Sequence, residues 1–120
     1  MNEAKETAHQ ITPVDELIER IRKYHPDDDM DVVRRAYDFA QKAHANQRRK
    51  SGEPYFLHPV AVAVILADLM LDGTTIAAGL LHDCVEDVEG ITPATIGELF
   101  GQEVELLVDG VTKLSKLDFS

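Results

Sequence analysis

Apolar residues recur along this chain at spacings of three and four, which is the pattern of helices that bury one face. Thr12 can cap a first helix, and Pro13 suits its first turn. A second helix is predicted from about Met30 to Asn46. The predicted buried faces consist of Val14, Leu17, Ile18 and Ile21 in the first helix, and of Val33, Ala36, Tyr37, Ala40 and Ala43 or His44 in the second.

A third and a fourth helix are predicted beyond the loop QRRKSGEPYFLHP. The run VAVAVILADLM, just after Pro59, alternates as a strand would, but its length and its alanines favour a buried helix with Pro59 in its first turn. Asp72-Gly73 is expected to stop this helix. Thr74 or Thr75 is expected to start the next one, TIAAGLLHDCVEDV.

Two further helices are predicted toward the C-terminus. Thr92-Pro93 opens a short helix, ATIGELF, that Gly101 closes, and VELLVDGVTKLSKL forms a last helix. Because no segment carries a strong strand pattern, the predicted fold class is all-α. Residues 1–11 are expected to form a flexible tail, and residues 12–120 a single domain.

Composition narrows the class of protein. Hydrophobic residues make up 44% of the 120 positions, enough for a folded core. The single cysteine, Cys84, excludes an internal disulfide and gives no reason to place the chain outside the cytosol. The N-terminus lacks the apolar core of a secretory signal, and no apolar run approaches the roughly 20 residues that span a bilayer. A cytoplasmic location away from membranes is therefore expected.

Charge is distributed unevenly along the chain, whose formal net charge is −10. Residues 1–57 carry 11 acidic and 10 basic side chains, whereas residues 58–120 carry 11 acidic and only 2 basic ones. This second half would repel a nucleic-acid backbone, so direct nucleic-acid binding is not expected. Its acids form either a solvated acidic surface or, in part, the ligands of a metal cation.

The candidate chemistry lies on the predicted fourth helix. His82 and Glu86 are four residues apart, as are Asp83 and Asp87, so the four side chains share one sector of a helix. Imidazole with carboxylate is a ligand set for Mn, Fe, Zn or Co. The alternative is a solvent-facing acidic helix end with an incidental histidine. Cys84 is expected to point away from this sector into the core.

The loop before the third helix supplies further candidates. His58 is either an additional metal ligand or a helix-terminal residue held by backbone contacts. The run RRKSGEPY offers cations and a glycine for close approach to phosphate, or it is a solvated charged turn. Tyr55 and Phe56 are interpreted as core anchors, and His44 as structural.

Three stretches resemble the N-terminal hydrolase domain of the RelA/SpoT homologue family. They are AYDFAQKAHANQRRKSGEPYFLHPVAVAVILADL, AAGLLHDCVED and IGELFGQEVELLVDGVTKL, within roughly residues 30–117. The resemblance implies a helical HD-domain fold. It also implies removal of the 3′-diphosphate from the alarmones ppGpp and pppGpp, with a divalent metal that is usually Mn²⁺. It assigns His58, His82 and Asp83 as metal ligands, Glu86 and Asp87 as catalytic carboxylates, and Arg49, Lys50 and Ser51 as substrate contacts.

The sequence departs from that family in two respects. The family's hydrolase domain is longer and contains a later helix with a further metal-binding aspartate, which has no match here. The GTP pyrophosphokinase domain of the bifunctional members has no match either. The resemblance therefore predicts a fragment of a bifunctional protein, incomplete at its C-terminus, which self-associates through the apolar surface it exposes. Two other functions stay open: an HD phosphohydrolase for another nucleotide, or a catalytically silent regulatory module.

Overall fold

The computed structural model describes residues 12–48 and 50–115, without the side chains of residues 114 and 115. Within them the only β-type pairing is an isolated bridge between Arg48 and Pro54, so the all-α class is confirmed. The predicted tail, residues 1–11, lies outside the described residues, and the domain boundary stays a prediction. The helices are α1 (Pro13–Tyr24), α2 (Met30–Ala43), α3 (Leu57–Asp68), α4 (Gly73–Asp87), α5 (Pro93–Phe100) and α6 (Gln102–Ser115).

Local capping chemistry explains where most helices begin. The Thr12 side chain accepts a hydrogen bond from the Asp15 amide at the start of α1, and Thr92 caps α5 in the same way, as predicted. Asp72 was expected to stop α3, and this was wrong. The Asp72 carboxylate accepts from the Thr75 amide at 2.9 Å and caps α4, so α4 begins at Gly73.

The second helix ends earlier than predicted, at Ala43 rather than near Asn46. His44 is buried, with only 1% of its surface exposed, and its ring bonds to Gln47. The Gln47 amide also donates to the His44 carbonyl, which closes a turn instead of continuing the helix. Burial of one polar ring therefore redirects the chain into the loop that precedes α3.

Helix α4 is the centre of the fold. It packs against α2, α3 and α6, while α1 lies against α2 and α3, and α5 lies against α6. A Cβ at Gly79 would lie 2.6 Å from Leu66 Cδ1, so glycine there permits the close contact of α3 with α4. Up to Leu81, every residue that α4 buries is small or aliphatic. These residues are Gly73, Ile76, Ala77, Ala78, Gly79, Leu80 and Leu81.

The outer face of α3 carries exposed apolar side chains. Leu57, Ile65 and Leu69 are 53%, 58% and 65% exposed. Self-association through such a surface stays a prediction. Among the described helices, none combines the length and the apolar character needed to cross a bilayer.

Helix α3 ends in a Schellman motif built on a non-glycine residue. The Met70 amide donates to the Ala67 carbonyl at 2.9 Å, and the Leu71 amide donates to the Leu66 carbonyl at 3.1 Å. Met70 therefore adopts the left-handed conformation, with φ of 64°. This conformation costs an ordinary L-residue about 1–2 kcal/mol, whereas glycine adopts it freely.

Met70→Gly is expected to raise the free energy of unfolding by roughly 0.5–1 kcal/mol, since part of the gain is offset by the greater freedom of glycine in the unfolded chain. The Met70 side chain is 68% exposed, so little burial is lost. Urea denaturation measures the change. Met70→Ala is the matched control, because it removes the same side chain but keeps the Cβ; equal effects of the two substitutions would contradict the explanation.

Candidate functional site

His82 lies in the C-terminal half of α4, where its ring is fixed by the helix itself. The His82 Nδ1 atom is 3.0 Å from the Gly79 carbonyl oxygen, one turn earlier. A carbonyl oxygen only accepts, so Nδ1 is protonated and donates to it. Nε2 faces Asp83 Oδ1 at 3.1 Å and donates to it when the ring carries its second proton, which a bound cation would replace. A backbone carbonyl that fixes one ring nitrogen so that the other can bind a cation is typical of metal-ligating histidines.

Asp83 is a buried carboxylate between two imidazoles. Its side chain is 8% exposed, with Oδ1 toward His82 and Oδ2 3.5 Å from His58 Nε2. The second distance is longer than an N–H···O hydrogen bond, and Oδ2 has no hydrogen-bond partner. A buried polar atom left without a partner costs about 1–3 kcal/mol. The fold therefore holds an acceptor in place at a cost to its own stability.

His58 reaches this carboxylate from a different helix. It is the second residue of α3, and the packing of α3 on α4 brings its ring beside Asp83. Its side chain is 40% exposed, so His58 forms the solvent side of the group. Pro59, next to it, is in the first turn of α3 as predicted.

The electrostatics of the trio keep Asp83 ionised. The hydrogen bond with Asp83 raises the pKa of His82, against an opposing effect of burial. Burial alone would raise the pKa of Asp83, but the hydrogen bond with His82 and the nearby His82 and His58 rings outweigh it, and the net shift is downward. A buried carboxylate that stays charged requires a compensating cation or several donors.

The chemistry of these donors fits a divalent metal ion. Two imidazole nitrogens and a carboxylate are a donor set that suits borderline divalent ions. The two imidazoles face different oxygens of Asp83. Accordingly, no group of three or more such side chains in the described chain is arranged to hold an ion as it stands. The half-exposed His58 would have to move closer to His82 and Asp83 for the three side chains to hold one ion.

Glu86 and Asp87 end α4, and both are exposed to solvent. Asp87 Oδ2 accepts a hydrogen bond from the Tyr55 hydroxyl at 2.5 Å. The Asp87 backbone carbonyl accepts another from Gln47 Nε2 at 3.0 Å. The carboxylates thus lie beyond the buried Asp83 on the solvent side, where water and substrate have access.

A cleft of about 540 Å³ is lined by Arg48, Lys50, Ser51 and Tyr55, and Tyr55 links it to Asp87 through the hydroxyl hydrogen bond. Two of the three predicted substrate contacts, Lys50 and Ser51, therefore line one space, together with a second cation. The third, Arg49, lies outside the described residues.

The two neighbouring aromatic residues, Tyr55 and Phe56, lie in different environments. Phe56 is buried and meets Tyr37 edge to face at 4.9 Å, so its interpretation as a core anchor is confirmed. The same interpretation of Tyr55 was wrong. Tyr55 is half-buried, because its ring packs on His44 at 4.9 Å while its hydroxyl binds Asp87. The sequence contains no signal for this contact, which joins residues 32 apart.

His44 and Cys84 are structural, as predicted. Both are buried, and Cys84 Sγ lies 3.6 Å from His44 Nε2. Burial, followed by the charges of Asp83 and Asp87, raises the pKa of Cys84 to about 12. The thiol is thus protonated at neutral pH and is not a nucleophile.

Comparison with known proteins agrees with this geometry. A family model described as HD domain matches residues 36–120, which include α3, α4 and the loop before them. The chain belongs to the HD domain family. In this HD domain, the His82-Asp83 pair lies on the central helix.

The HD domain is also similar to regions of longer bacterial proteins. It is 53% identical over 100 residues to "GTP pyrophosphokinase" of Myxococcus xanthus, covering 83% of this chain and 13% of that protein. It is 50% identical over 103 residues to "GTP pyrophosphokinase rsh" of Brucella ovis, covering 86% and 14%. It is 51% identical over 106 residues to "Bifunctional (p)ppGpp synthase/hydrolase SpoT" of Escherichia coli, again covering 86% and 14%. The chain thus spans about one seventh of these curated relatives, and the resemblance to RelA/SpoT homologues is confirmed.

The unpartnered oxygen of Asp83 yields a stability prediction. Asp83→Asn is expected to change the free energy of unfolding of the metal-free chain by less than about 1 kcal/mol, because an amide can donate to His82 Nε2 and no charge is buried. The wild type should gain about 2.7 kcal/mol from Mn²⁺ at 100 times its dissociation constant, and the variant almost nothing.

Urea denaturation with and without MnCl₂ measures both effects. The control is Asp109→Asn, which removes an exposed carboxylate paired with Lys113 on α6 and should leave the response to Mn²⁺ intact. A metal-free Asp83→Asn variant that loses several kcal/mol, yet still responds to Mn²⁺, would show that Asp83 is a structural ion-pair residue.

Proposed function

We propose that this HD domain is a metal-dependent hydrolase that removes the 3′-diphosphate of the guanosine alarmones ppGpp and pppGpp. The observation that carries the proposal is the buried, charged Asp83 carboxylate between the His58 and His82 rings. A cleft with Arg48 and Lys50 on its wall, joined to Asp87 through Tyr55, supports a phosphorylated substrate. The guanosine alarmone is supported by the E. coli relative, which is named a (p)ppGpp synthase/hydrolase.

His58, His82 and Asp83 would hold the divalent ion, which we take to be Mn²⁺. When bound there, such an ion supplies Lewis-acid chemistry by polarising a phosphoryl oxygen and lowering the pKa of water. His82 contributes the Nε2 lone pair that its bond to the Gly79 carbonyl leaves available. Asp83 contributes the oxygen that the protein leaves without a partner.

The remaining predicted residues would bind the nucleotide and move a proton. Lys50 and Ser51 would contact the guanine nucleotide from the cleft wall, and Arg49 is proposed as a further substrate contact on the resemblance alone. Water attacks the phosphorus next to the ribose, the bond from phosphorus to the 3′ oxygen breaks, and pyrophosphate leaves GDP or GTP behind. Glu86 and Asp87 orient this water, accept its proton and return a proton to the 3′ oxygen.

We also propose a cytoplasmic location for this chemistry. The chain's one thiol, Cys84, is buried and takes part in no disulfide. Nucleotide substrates are cytoplasmic, and reduced cysteine is the normal state in that compartment.

The test is release of pyrophosphate from ppGpp by the chain in Mn²⁺, compared with release of any product from GTP and ATP. We expect pyrophosphate from ppGpp alone. The His82→Ala variant should lose at least about a hundredfold in rate, and calorimetry should show its Mn²⁺ affinity reduced roughly tenfold or more.

A matched control is His25→Ala, which removes an exposed imidazole from the cap of α1. It should bind Mn²⁺ like the wild type. Equal weak Mn²⁺ binding by wild type and His82→Ala would refute the metal site, whereas turnover of GTP or ATP at the rate of ppGpp would refute the alarmone as substrate.

A further inference from the structure

The loop that lines the cleft is closed at its base. The Tyr55 amide donates to the Gln47 carbonyl at 2.9 Å, and Arg48 pairs with Pro54 in the isolated bridge. Inside the loop, the Arg48 guanidinium donates to the Gly52 carbonyl at 3.3 Å. The described residues of this loop, 47–48 and 50–55, therefore form one closed unit, with the cleft on its wall.

Both residues at the base of this loop also bind Asp87. Gln47 Nε2 donates to the Asp87 carbonyl oxygen, and the Tyr55 hydroxyl donates to the Asp87 carboxylate. Asp87 is the last residue of α4 and exposed, a position where a carboxylate normally rotates freely and the backbone carbonyl lacks a helical partner. Two hydrogen bonds, one to the backbone and one to the side chain, instead hold Asp87 against the loop.

The two donors are themselves fixed by the core. His44 Nδ1 donates a hydrogen bond to Gln47 Oε1 at 2.5 Å, which orients the side-chain amide so that Nε2 points to the Asp87 carbonyl. The Tyr55 ring lies on the His44 ring at 4.9 Å with a tilt of 31°. His44 in turn contacts Cys84, one turn before the end of α4. The contacts that fix Asp87 at the end of α4 thus lead back, through His44, to Cys84 on the same helix.

We propose that Tyr55 is a positioning residue for Asp87 in the hydrolysis described above, with Gln47 as its backbone counterpart. The Tyr55 hydroxyl fixes the carboxylate in one orientation relative to the cleft, and its ring forms part of the cleft wall. The nucleotide-binding wall and the proton-accepting carboxylate are therefore one rigid unit. The proposal rests on the proposed function, because it concerns the water that Asp87 orients.

Tyr55→Phe isolates the hydroxyl, because it keeps the ring on His44 and in the cleft wall. We expect kcat for ppGpp hydrolysis to fall about tenfold, while KM stays within about twofold, since misplacement of a catalytic group lowers the rate more than binding. Tyr55→Leu also removes the wall and should raise KM several-fold. A residue needed only for folding would change neither parameter of the folded fraction.

Tyr24→Phe is the matched control. It removes a tyrosine hydroxyl that donates to the Leu71 carbonyl at 2.5 Å. Neither residue of this pair lines the cleft. Its loss of stability should resemble that of Tyr55→Phe, while its kcat and KM should equal those of the wild type. A tenfold fall in kcat for Tyr24→Phe as well would overturn the assignment to Tyr55.

The orientation of Asp87 is measured independently of turnover by the three-bond couplings between its α and β protons. We expect a single χ1 rotamer in the wild type and averaged couplings in Tyr55→Phe. An active wild type, with kcat and couplings unchanged in Tyr55→Phe, overturns the positioning role alone. A wild type that releases no pyrophosphate overturns the proposed function, and the kinetic role of Tyr55 fails with it.

Discussion

The placement of one buried carboxylate, Asp83, determines how the rest of this small domain can function. Its charge is kept away from water, held by His82 on one oxygen and faced by His58 at 3.5 Å from the other. An apolar side chain of similar size would fill that position without a buried charge. The protein keeps the charged group instead, which is the observation behind our proposal that a cation binds there.

The packing of the helices on α4 determines which side chains surround Asp83. A central α4 with glycine and alanine on its surface lets α2 and α3 approach closely, and α3 then carries His58 to Asp83. The same approach of α2 brings His44 against Cys84, from which the cleft loop is anchored. A short chain can thereby hold an ordered polar site, because the second layer of contacts is built from the core itself.

Sequence reasoning succeeded where the determinants are local. The caps at Thr12 and Thr92 depend on neighbours within one turn, and so does the contact between the adjacent residues His82 and Asp83. It failed where a residue's role depends on distant chain. An aromatic residue such as Tyr55, next to Phe56, is typical of a core position. Only its contact with Asp87, 32 residues away, assigns Tyr55 to the site.

Paramagnetic broadening by Mn²⁺ tests the central claim most directly, because it locates the ion without requiring turnover. In a spectrum of the labelled chain titrated with substoichiometric Mn²⁺, the account predicts that signals of His58, His82 and Asp83 disappear first. The acidic run Asp27–Asp29, whose first and last residues are exposed, provides an internal comparison on the same molecule. Broadening that begins at this run, with the His82 and Asp83 signals intact, would contradict the account.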